Sequence, residues 1–315
     1  MQQRRDRARF YRDIEQTCRD LGITLEPVAP GGKWHSLSFQ RRVVYVQLDK
    51  LSLSLETHSS RIVLDKLLTR HLLSKRGECV IQGCPVTSVE DVEGYLESQL
   101  LHYPVVIKPV TGHRSIGVLA DIRSKPELED AFEGLRYQGL LGEKLLAEPH
   151  IPWTDVSVLV VEGIYLAASV RCPPSVLGDG VHTIADLSAQ LNIDMSSAET
   201  QTVLDHQGLS LHSCPSNGTV VRVLDRRNNE LGTARDITDI IHNSYKDVAQ
   251  RCAAVVGSRV ASVDLFVKNS DPSVADEYVI NEVNYGASLL AYMYPDEGAG
   301  RAVHVPVLKA YFEIP

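Results

Sequence analysis

The sequence predicts a mixed α/β (α+β) protein of two or three domains or subdomains. Its 315 residues are more than one ordinary hydrophobic core needs. Amphipathic helical segments alternate with short apolar segments of strand character along the chain. The turn Glu162–Gly163 joins two apolar runs at hairpin spacing, which predicts that antiparallel strands are part of the fold.

The amino-terminal part is predicted to contain two helices around a group of short strands. The first helix covers residues 5–21 and places Phe10, Ile14 and Cys18 on one face. The second runs from about Arg61 to Lys75, with Ser59 or Ser60 as its cap. The strands between them are predicted at residues 23–28, 36–39, 43–48 and 51–55.

The remaining elements continue the alternation. Helices are predicted at residues 89–101, 124–139, 183–191 and 244–256. Strands are predicted near residue 80 and at 104–107, 140–151, 156–161, 164–170, 220–224, 258–267 and 278–283. Residues 192–216 are polar with few helix or strand signals, so a mobile excursion is expected there.

Composition and charge narrow the classes of function. Hydrophobic residues make up 43% and charged residues 23%, and the net charge is −8. The acidic balance argues against a general binder of nucleic acid or anionic membrane. No apolar run approaches the roughly 20 residues that cross a bilayer, and the basic start lacks a secretory apolar segment. A cytoplasmic protein without CxxC or HExxH zinc motifs is expected.

A lysine at the end of an apolar run is the first candidate functional residue. Residues 104–107 lead into Lys108, and the loop that follows contains Gly112, Ser115 and Gly117. An ammonium group at a strand end suits a phosphate, and glycines let the backbone approach it closely. Alone, the pattern also fits a strand that ends in a solvated turn.

Polar side chains at the ends of two late strands form a second candidate set. Asp264 lies in one strand, and Glu282 and Asn284 share one face of the next by alternation. A hairpin can bring Asp264 alongside them. Two carboxylates and an amide oxygen are the hard ligands that suit Mg²⁺, whereas a solvated polar sheet face is the competing interpretation.

Glu148 and Asp155 form a third candidate pair. They are seven residues apart around the turn-prone segment IPWT. Acceptors placed in this way can hold a ribose diol. By itself the pair also fits a solvated loop.

Taken in order, these stretches resemble the ATP-grasp superfamily of carboxylate–amine ligases from about Ser59 to Glu297. SSRIVLDKLLTRHLL is similar to the family's Asp-Lys helix, and VVIKPVTGHRSIGV to its second-lysine strand with a mobile glycine-rich loop. AEPHIPWTD resembles the adenine and ribose segment, and VASVDLF with VINEVN the metal segments. The resemblance implies nucleotide contacts from Lys66, Lys108, Gly112, Ser115, Gly117, Glu148 and Asp155. It implies metal ligands Asp264, Glu282 and Asn284.

Two further stretches resemble the ATP-grasp domains of cyanophycin synthetases and bifunctional glutathione synthetases. They are AASVRCPPSVLGDGVHTIADL and LGTARDITDIIHN, and the GDG turn is their distinctive feature. The resemblance implies an ATP-grasp fold with two α+β subdomains that clasp ATP. The expected domains are a shortened amino-terminal one (1–57), a central one (58–155) and a carboxy-terminal one (156–315).

The implied activity is ATP-dependent formation of an amide bond through an acyl phosphate. Lys108 and Arg171 would be its catalytic residues, with Mg²⁺ as the metal and Mn²⁺ as a substitute. Intramolecular cyclisation uses the same ATP residues and stays open. Carboxylate phosphorylation without amine capture is a third enzymatic outcome, and a nucleotide-binding protein without catalytic activity is the non-enzymatic one.

Departures from the family pattern bear on the substrate. Asn284 is followed by YGASLL, without the family's Pro-Gly and arginine, and Ser157 stands where the family carries an arginine. The ending Ser-x-Gly of the glycine loop is closer to D-alanine–D-alanine ligases. A ligase of small amino-acid-like molecules is therefore expected rather than a polymerase, and both a homodimer and a monomer stay open.

Overall fold

The structure is a computed structural model that describes residues 7–29, 34–47, 57–111, 116–142, 144–191, 193–225, 232–285 and 288–315. The predicted strand at 51–55 and the loop residues Gly112 and Ser115 lie outside the described residues. The chain divides into two compact units. Unit 1 comprises Met1–Pro85, Ile151–Val170 and Ala234–Pro315, and unit 2 comprises Val86–His150 and Arg171–Thr233. The predicted domains 1–57, 58–155 and 156–315 stay a prediction.

Helices and strands alternate through both units. The helices are α1 (Arg7–Asp20), α2 (Thr57–Leu64), α3 (Lys66–Lys75), α4 (Val89–Glu97), α5 (Lys125–Tyr137), α6 (Ile184–Leu187), α7 (Ala198–Asp205), α8 (Asn243–Val256), α9 (Leu290–Met293) and α10 (His304–Phe312). The strands are β1 (Thr24–Pro27), β2 (Trp34–Phe39), β3 (Arg42–Gln47), β4 (Cys84–Val86), β5 (Val105–Pro109), β6 (Leu119–Ile122), β7 (Leu145–Pro149), β8 (Thr154–Val161), β9 (Ile164–Cys172), β10 (Ser175–Leu177), β11 (Val220–Arg222), β12 (Thr233–Asp236), β13 (Val260–Val267) and β14 (Tyr278–Tyr285).

A five-stranded sheet with the order β12-β9-β8-β13-β14 is the centre of unit 1. Strand β13 pairs antiparallel with β8 on one side and β14 on the other. The register shifts after Asp264, which pairs with Glu282, since Leu265 already pairs with Ile280. This leaves Asn281 as the extra residue of a β-bulge next to Glu282. Helix α8 packs against β8 and β13.

The amino-terminal segment adds a second sheet and a shared core to unit 1. Strands β1, β2 and β3 form an antiparallel sheet in that order. Phe10 and Ile14 of α1 pack in one hydrophobic cluster with Leu37 of β2 and Tyr311 of α10. The side chains of all four residues are at most 1% exposed, so burial of apolar surface fixes this part of the unit.

Unit 2 is built on a four-stranded sheet with the order β4-β7-β5-β6. Strand β5 pairs antiparallel with both β6 and β7. Helix α5 begins after the cap Ser124, whose side chain accepts from the Glu127 amide, and it buries Leu128 and Leu135. A separate antiparallel pair, β10 with β11, packs with α6 and α7 in a smaller hydrophobic cluster.

The predicted single helix from Arg61 to Lys75 is wrong, because two helices meet at Asp65. Asp65 has an extended backbone (φ −97°, ψ 102°), and its side chain accepts from the Leu68 amide, so it caps α3. The predicted caps Ser59 and Ser60 lie inside α2 instead. Ser59 Oγ donates to the carbonyl of Gly257 at 2.8 Å.

Residues 192–216, where a mobile excursion is predicted, contain one regular element that the sequence signals missed. Helix α7 lies within this segment, with the cap Ser197 accepting from the Thr200 amide. Val203 and Leu204 are buried there, and Leu204 belongs to the hydrophobic cluster that also contains Val176 and Val221. The predicted strand at 140–151 is shorter and covers only β7.

Several predicted elements are confirmed within a few residues. These are α1, α5, α8, β13, β14 and the β8–β9 hairpin. Glu162 and Gly163 both have positive φ, as a tight hairpin turn requires. In the described part of the chain, no helix has the length and apolar character needed to cross a membrane.

Candidate functional site

The three residues predicted as metal ligands meet on one face of the five-stranded sheet. Asp264 lies directly opposite Glu282 of β14, and Ser262 opposite Asn284. Asn284 Nδ2 donates to Asp264 Oδ2 at 2.9 Å and to Glu282 Oε1 at 3.2 Å. The alternation and the hairpin inferred from the sequence therefore bring these three side chains together.

The chemistry of this set fits a divalent cation with oxygen ligands. Asp264 is fully buried, whereas Glu282 and Asn284 are partly exposed, so the cluster opens on one side. Rotation of the Asn284 amide by about 180° turns its oxygen to the point that its nitrogen occupies. Among the described residues, no three His, Cys, Asp or Glu side chains form a metal-ligating group. Two carboxylates with an amide suit Mg²⁺, which keeps other positions for phosphate and water.

The bulge next to Glu282 is held by an arginine that sequence reasoning missed. Arg70 of α3 is 5% exposed and donates to the carbonyl of Asn281 from Nε at 3.3 Å and Nη2 at 3.0 Å. Its place four residues after Lys66 on one helix face was the available signal. Arg70 thus fixes the backbone that carries Glu282.

Lys66 is the first residue of α3 and lies near Glu282, one of the three predicted metal ligands. It lines a small pocket that Arg70 and Glu282 also line. The break at Asp65 sets the position of Lys66 at the start of α3, because α2 would otherwise continue through residue 66 along its own direction. Within unit 1 the structure therefore brings Lys66 together with Glu282.

Asp155 belongs to the same sheet face. It pairs with Phe266 across β8 and β13 and is 4% exposed. Alternation places its side chain on the face of Ser157, which pairs with Asp264. Glu148, its predicted partner for a ribose, belongs to unit 2. Their joint role stays a prediction.

Lys108 and Glu148 form a buried ion pair in unit 2. Strands β5 and β7 pair with Val106 opposite Glu148 and Lys108 opposite Leu146, so the two charged residues are diagonal neighbours. Lys108 Nζ contacts Glu148 Oε1, and the two side chains are 6% and 3% exposed. The ammonium has three donors, so it can hold this carboxylate and another oxygen as well.

Gly117, at the end of the glycine-rich loop, meets a strict conformational requirement. Its φ is +69°, and a Cβ atom there would lie 2.6 Å from Leu140 Cδ1. Only glycine fits this position without displacement of a neighbour. Arg171, the predicted transition-state residue, lies near the end of β9 and is partly exposed.

The GDG turn is a structural element of unit 2. Asp179 Oδ1 accepts from the amides of Val181 and His182 at 2.9 and 2.8 Å. These hydrogen bonds, of which the one from the His182 amide has the largest effect, hold the pKa of the Asp179 carboxyl well below its usual range. A Cβ atom on Gly178 would lie 2.5 Å from the carbonyl oxygen of Ser216, so the backbone packs too closely for another residue. The signature thus marks a turn geometry.

Two further polar residues of unit 1, Asp236 and His242, have structural hydrogen-bond partners. Arg301 Nε donates to Asp236 Oδ2 at 3.1 Å, and the same guanidinium bonds Asp239. Burial acts to raise the pKa of Asp236, but the bonds from Arg301 and Thr238 lower it below its usual range. His242 caps α8 by accepting from the Ser244 amide at 3.2 Å.

No protein-family model matches the sequence. Over 267 residues the chain is 30% identical to cyanophycin synthetase from Trichormus variabilis, covering 80% of this chain and 29% of the relative. It is 27% identical over 275 residues to the glutathione biosynthesis bifunctional protein GshAB from Enterococcus faecalis, covering 80% and 35%. The chain thus spans about a third of the length of these relatives. The resemblance to these two groups is confirmed.

Solved structures identify the fold. The bifunctional glutathione synthetase from Pasteurella multocida matches with a TM-score of 0.61 at 23% identity, over 96% of this chain and 43% of that one. The ATP-grasp ligase PsnB, complexed with minimal precursor, matches with a TM-score of 0.51 at 16% identity, over 84% and 64%. The chain has the ATP-grasp fold. The fold class predicted from the sequence is therefore confirmed, and the five-stranded sheet of unit 1 carries Asp264, Glu282 and Asn284.

Proposed function

We propose that this ATP-grasp chain is an ATP-dependent carboxylate–amine ligase. It would join small amino-acid-like substrates by an amide (peptide) bond through an acyl phosphate and release ADP and phosphate. The observation that carries the proposal is the alignment of Asp264 and Glu282 on neighbouring strands, with the Asn284 amide within 3.2 Å of both. The similarity to cyanophycin synthetase and to bifunctional glutathione synthetases supports it.

The proposed ATP contacts follow from charge and position. Lys66 begins α3 beside Glu282, and Lys108 is a buried cation, so both suit phosphate oxygens. Glu148 and Asp155 are assigned to the ribose as acceptors. The glycine-rich loop between β5 and β6 would cover the phosphates and exclude water. Its proposed nucleotide contacts are Gly112, Ser115 and Gly117.

Asp264, Glu282 and Asn284 are the residues that would hold Mg²⁺. When bound, Mg²⁺ supplies neutralisation of phosphate charge during phosphoryl transfer. Mn²⁺ accepts similar oxygen ligands and is the second candidate metal. Asp264 is fully buried, and the three side chains are open on the side of the partly exposed Glu282 and Asn284.

The proposed reaction has two steps. A carboxylate oxygen of the substrate attacks the γ-phosphorus of ATP, the bond to the β–γ bridging oxygen breaks, and ADP leaves. The amine then attacks the acyl carbon, loses a proton, and expels phosphate. Lys108 would stabilise charge on the transferring phosphoryl group, and Arg171 would stabilise the same group and the tetrahedral oxyanion.

The substrate class follows from two features. The stretch after Asn284 lacks the Pro-Gly and the arginine of the family pattern, which weakens the case for a carboxylate clamp of the kind that polymer synthesis needs. The ending of the glycine loop resembles that of ligases for single amino acids. Small amino-acid-like acids and amines are therefore proposed, and an intramolecular cyclase acting on one such molecule is the second candidate function.

Location and assembly complete the proposal. All six cysteines carry free thiols, as is usual in a reducing compartment, which supports the proposed cytoplasmic location. Both a homodimer and a monomer stay open. Neither nucleic acid nor membrane is proposed as a partner of this acidic chain.

The test is an ADP-release screen of the purified protein with Mg²⁺, ATP and pooled amino acids, followed by mass analysis. Ligation joins two substrates with loss of one water, whereas cyclisation removes one water from a single substrate. Glu282→Ala should abolish ADP formation and keep the circular dichroism of the wild type. The matched control is Glu277→Ala, an exposed acid that pairs with Lys268 just before β14. Full activity of Glu282→Ala would contradict the assignment of Glu282 as a metal ligand.

A further inference from the structure

Two buried serine hydroxyls donate to one oxygen of Asp264, and a buried tyrosine hydroxyl lies against both serines. Ser157 Oγ donates to Asp264 Oδ1 at 2.7 Å, and Ser262 Oγ donates to the same oxygen at 3.3 Å. Ser157 Oγ also lies 2.9 Å from both Ser262 Oγ and Tyr292 OH. Each of these side chains is at most 5% exposed. The group of Ser157, Ser262 and Tyr292 is called the hydroxyl cluster below.

The hydroxyl cluster fixes the rotation of the Asp264 carboxylate. Its members come from β8, β13 and α9, so three separate elements hold them. Ser157 is the direct cross-strand partner of Asp264, and Glu282 is the partner on the opposite side. With Oδ1 held by hydroxyls, Oδ2 is directed to the side of Glu282 and Asn284.

The hydroxyl cluster also decides how Asp264 is stabilised in its buried position. Hydroxyl groups donate hydrogen bonds without adding positive charge next to the carboxylate. A cationic donor at residue 157 would compete with a metal ion for the same negative charge. The hydroxyl cluster therefore holds Oδ1 without placing a positive charge beside it.

We infer that Ser157, Ser262 and Tyr292 are positioning residues that set the metal affinity of the Asp264–Glu282–Asn284 set. This rests on the proposed function, because it assumes that these three residues hold Mg²⁺. Groups that hydrogen-bond to metal ligands commonly change metal affinity by about 10–100-fold when they are removed. The hydroxyl cluster contains such groups, because Ser157 and Ser262 donate hydrogen bonds to Asp264.

The test compares metal-dependent ADP binding in variants of the full chain. Isothermal titration calorimetry would measure ADP binding at a series of Mn²⁺ concentrations and without metal. In Ser157→Ala, the Mn²⁺ concentration for half-maximal enhancement of ADP binding should rise by about 10–100-fold. ADP affinity without metal should be unchanged, and Ser157→Thr, which keeps a hydroxyl, should recover most of the metal affinity.

Tyr292→Phe provides an independent variant in case Ser157→Ala fails to fold. It removes one hydroxyl oxygen and should raise the required Mn²⁺ concentration in the same direction. The matched control is Ser169→Ala in β9 of the same sheet. Ser169 Oγ is buried with no hydrogen-bond partner among the described residues, so its removal should leave the Mn²⁺ dependence unchanged.

The outcomes separate this inference from the proposed function. If the wild type shows metal-dependent ADP binding and the folded Ser157→Ala and Tyr292→Phe variants match it, the positioning role is overturned. A lower melting temperature in these variants with unchanged Mn²⁺ dependence overturns it too, since that pattern is purely structural. If the wild type itself shows no metal-dependent ADP binding, the metal assignment fails and the inference fails with it.

Discussion

The buried pair of Lys108 and Glu148 allows stability and nucleotide binding to be separated in one experiment. Replacing Glu148 with leucine leaves the Lys108 ammonium without its carboxylate partner at a position that is 6% exposed. Replacing Lys108 with methionine leaves the Glu148 carboxylate without its ammonium partner. The double variant Lys108→Met/Glu148→Leu replaces both charges with apolar groups of similar volume.

The expected magnitudes follow from burial. Loss of one member of a buried ion pair costs about 3–5 kcal/mol, because an uncompensated charge stays in the interior. Apolar replacement of both members is often neutral or stabilising, so the double variant should recover most of that loss. The side chains of both residues are at most 6% exposed, which places the pair in the range of buried interactions.

Urea unfolding of the four proteins measures the stability part, and ATP titration of the folded variants measures binding. Lys108→Met and the double variant should both bind ATP weakly, because the proposed phosphate contact is absent in each. Single variants as stable as the wild type would refute the buried pair. A stable double variant with wild-type ATP affinity would refute Lys108 as a phosphate ligand.

Three further predictions address particular positions. Gly178→Ala should destabilise unit 2 by about 1–3 kcal/mol, because its Cβ would lie 2.5 Å from a backbone oxygen. Gly142→Ala in the same unit is the control, since a Cβ there has no atom within 4 Å, and equal melting temperatures of the two variants would contradict the packing argument. Asp65→Ala should lower the free energy of unfolding by about 1 kcal/mol and weaken ATP binding, whereas Asp65→Ser keeps a helix cap and should retain stability and ATP affinity. Unchanged ATP affinity in Asp65→Ala would show that the cap does not position Lys66 for ATP. Burial lowers the pKa of His304 from 6.5, so its contribution to stability is complete above that pH and decreases as pH falls through the folded-state pKa. His304→Gln should flatten the pH dependence of urea unfolding in that acidic range, and an unchanged profile would exclude His304 as its source.

The proximity of Asp264, Glu282 and Asn284 could be predicted in part from the sequence, because strand alternation is local information; their metal-binding role stays a prediction. Glu282 and Asn284 are two residues apart, and Asp264 lies in the preceding strand of the same hairpin. The pairing of Asp264 with Glu282 also depends on the β-bulge at Asn281, since Leu265 already pairs with Ile280, and the sequence pattern did not reveal this bulge. The β8–β9 hairpin could be predicted from its turn, which occupies residues with positive φ.

Features that depend on distant pairing could not be predicted in the same way. The ion pair between Lys108 and Glu148 needs the β5–β7 register, which no spacing in the sequence specifies. The Asp65 break was missed because apolar periodicity continues through it, and only the side-chain cap reveals it. The contact of Arg70 with the Asn281 carbonyl joins residues that are 211 positions apart.

The central claim is that this ATP-grasp chain activates a carboxylate as an acyl phosphate. The most direct measurement uses the amino acid found in the ADP-release screen, labelled with ¹⁸O in its carboxylate, and follows the label by mass spectrometry. We expect one ¹⁸O atom in each phosphate released with ADP, because the attacking carboxylate oxygen leaves with the phosphoryl group. Unlabelled phosphate, or ¹⁸O found in AMP, would contradict the proposed mechanism.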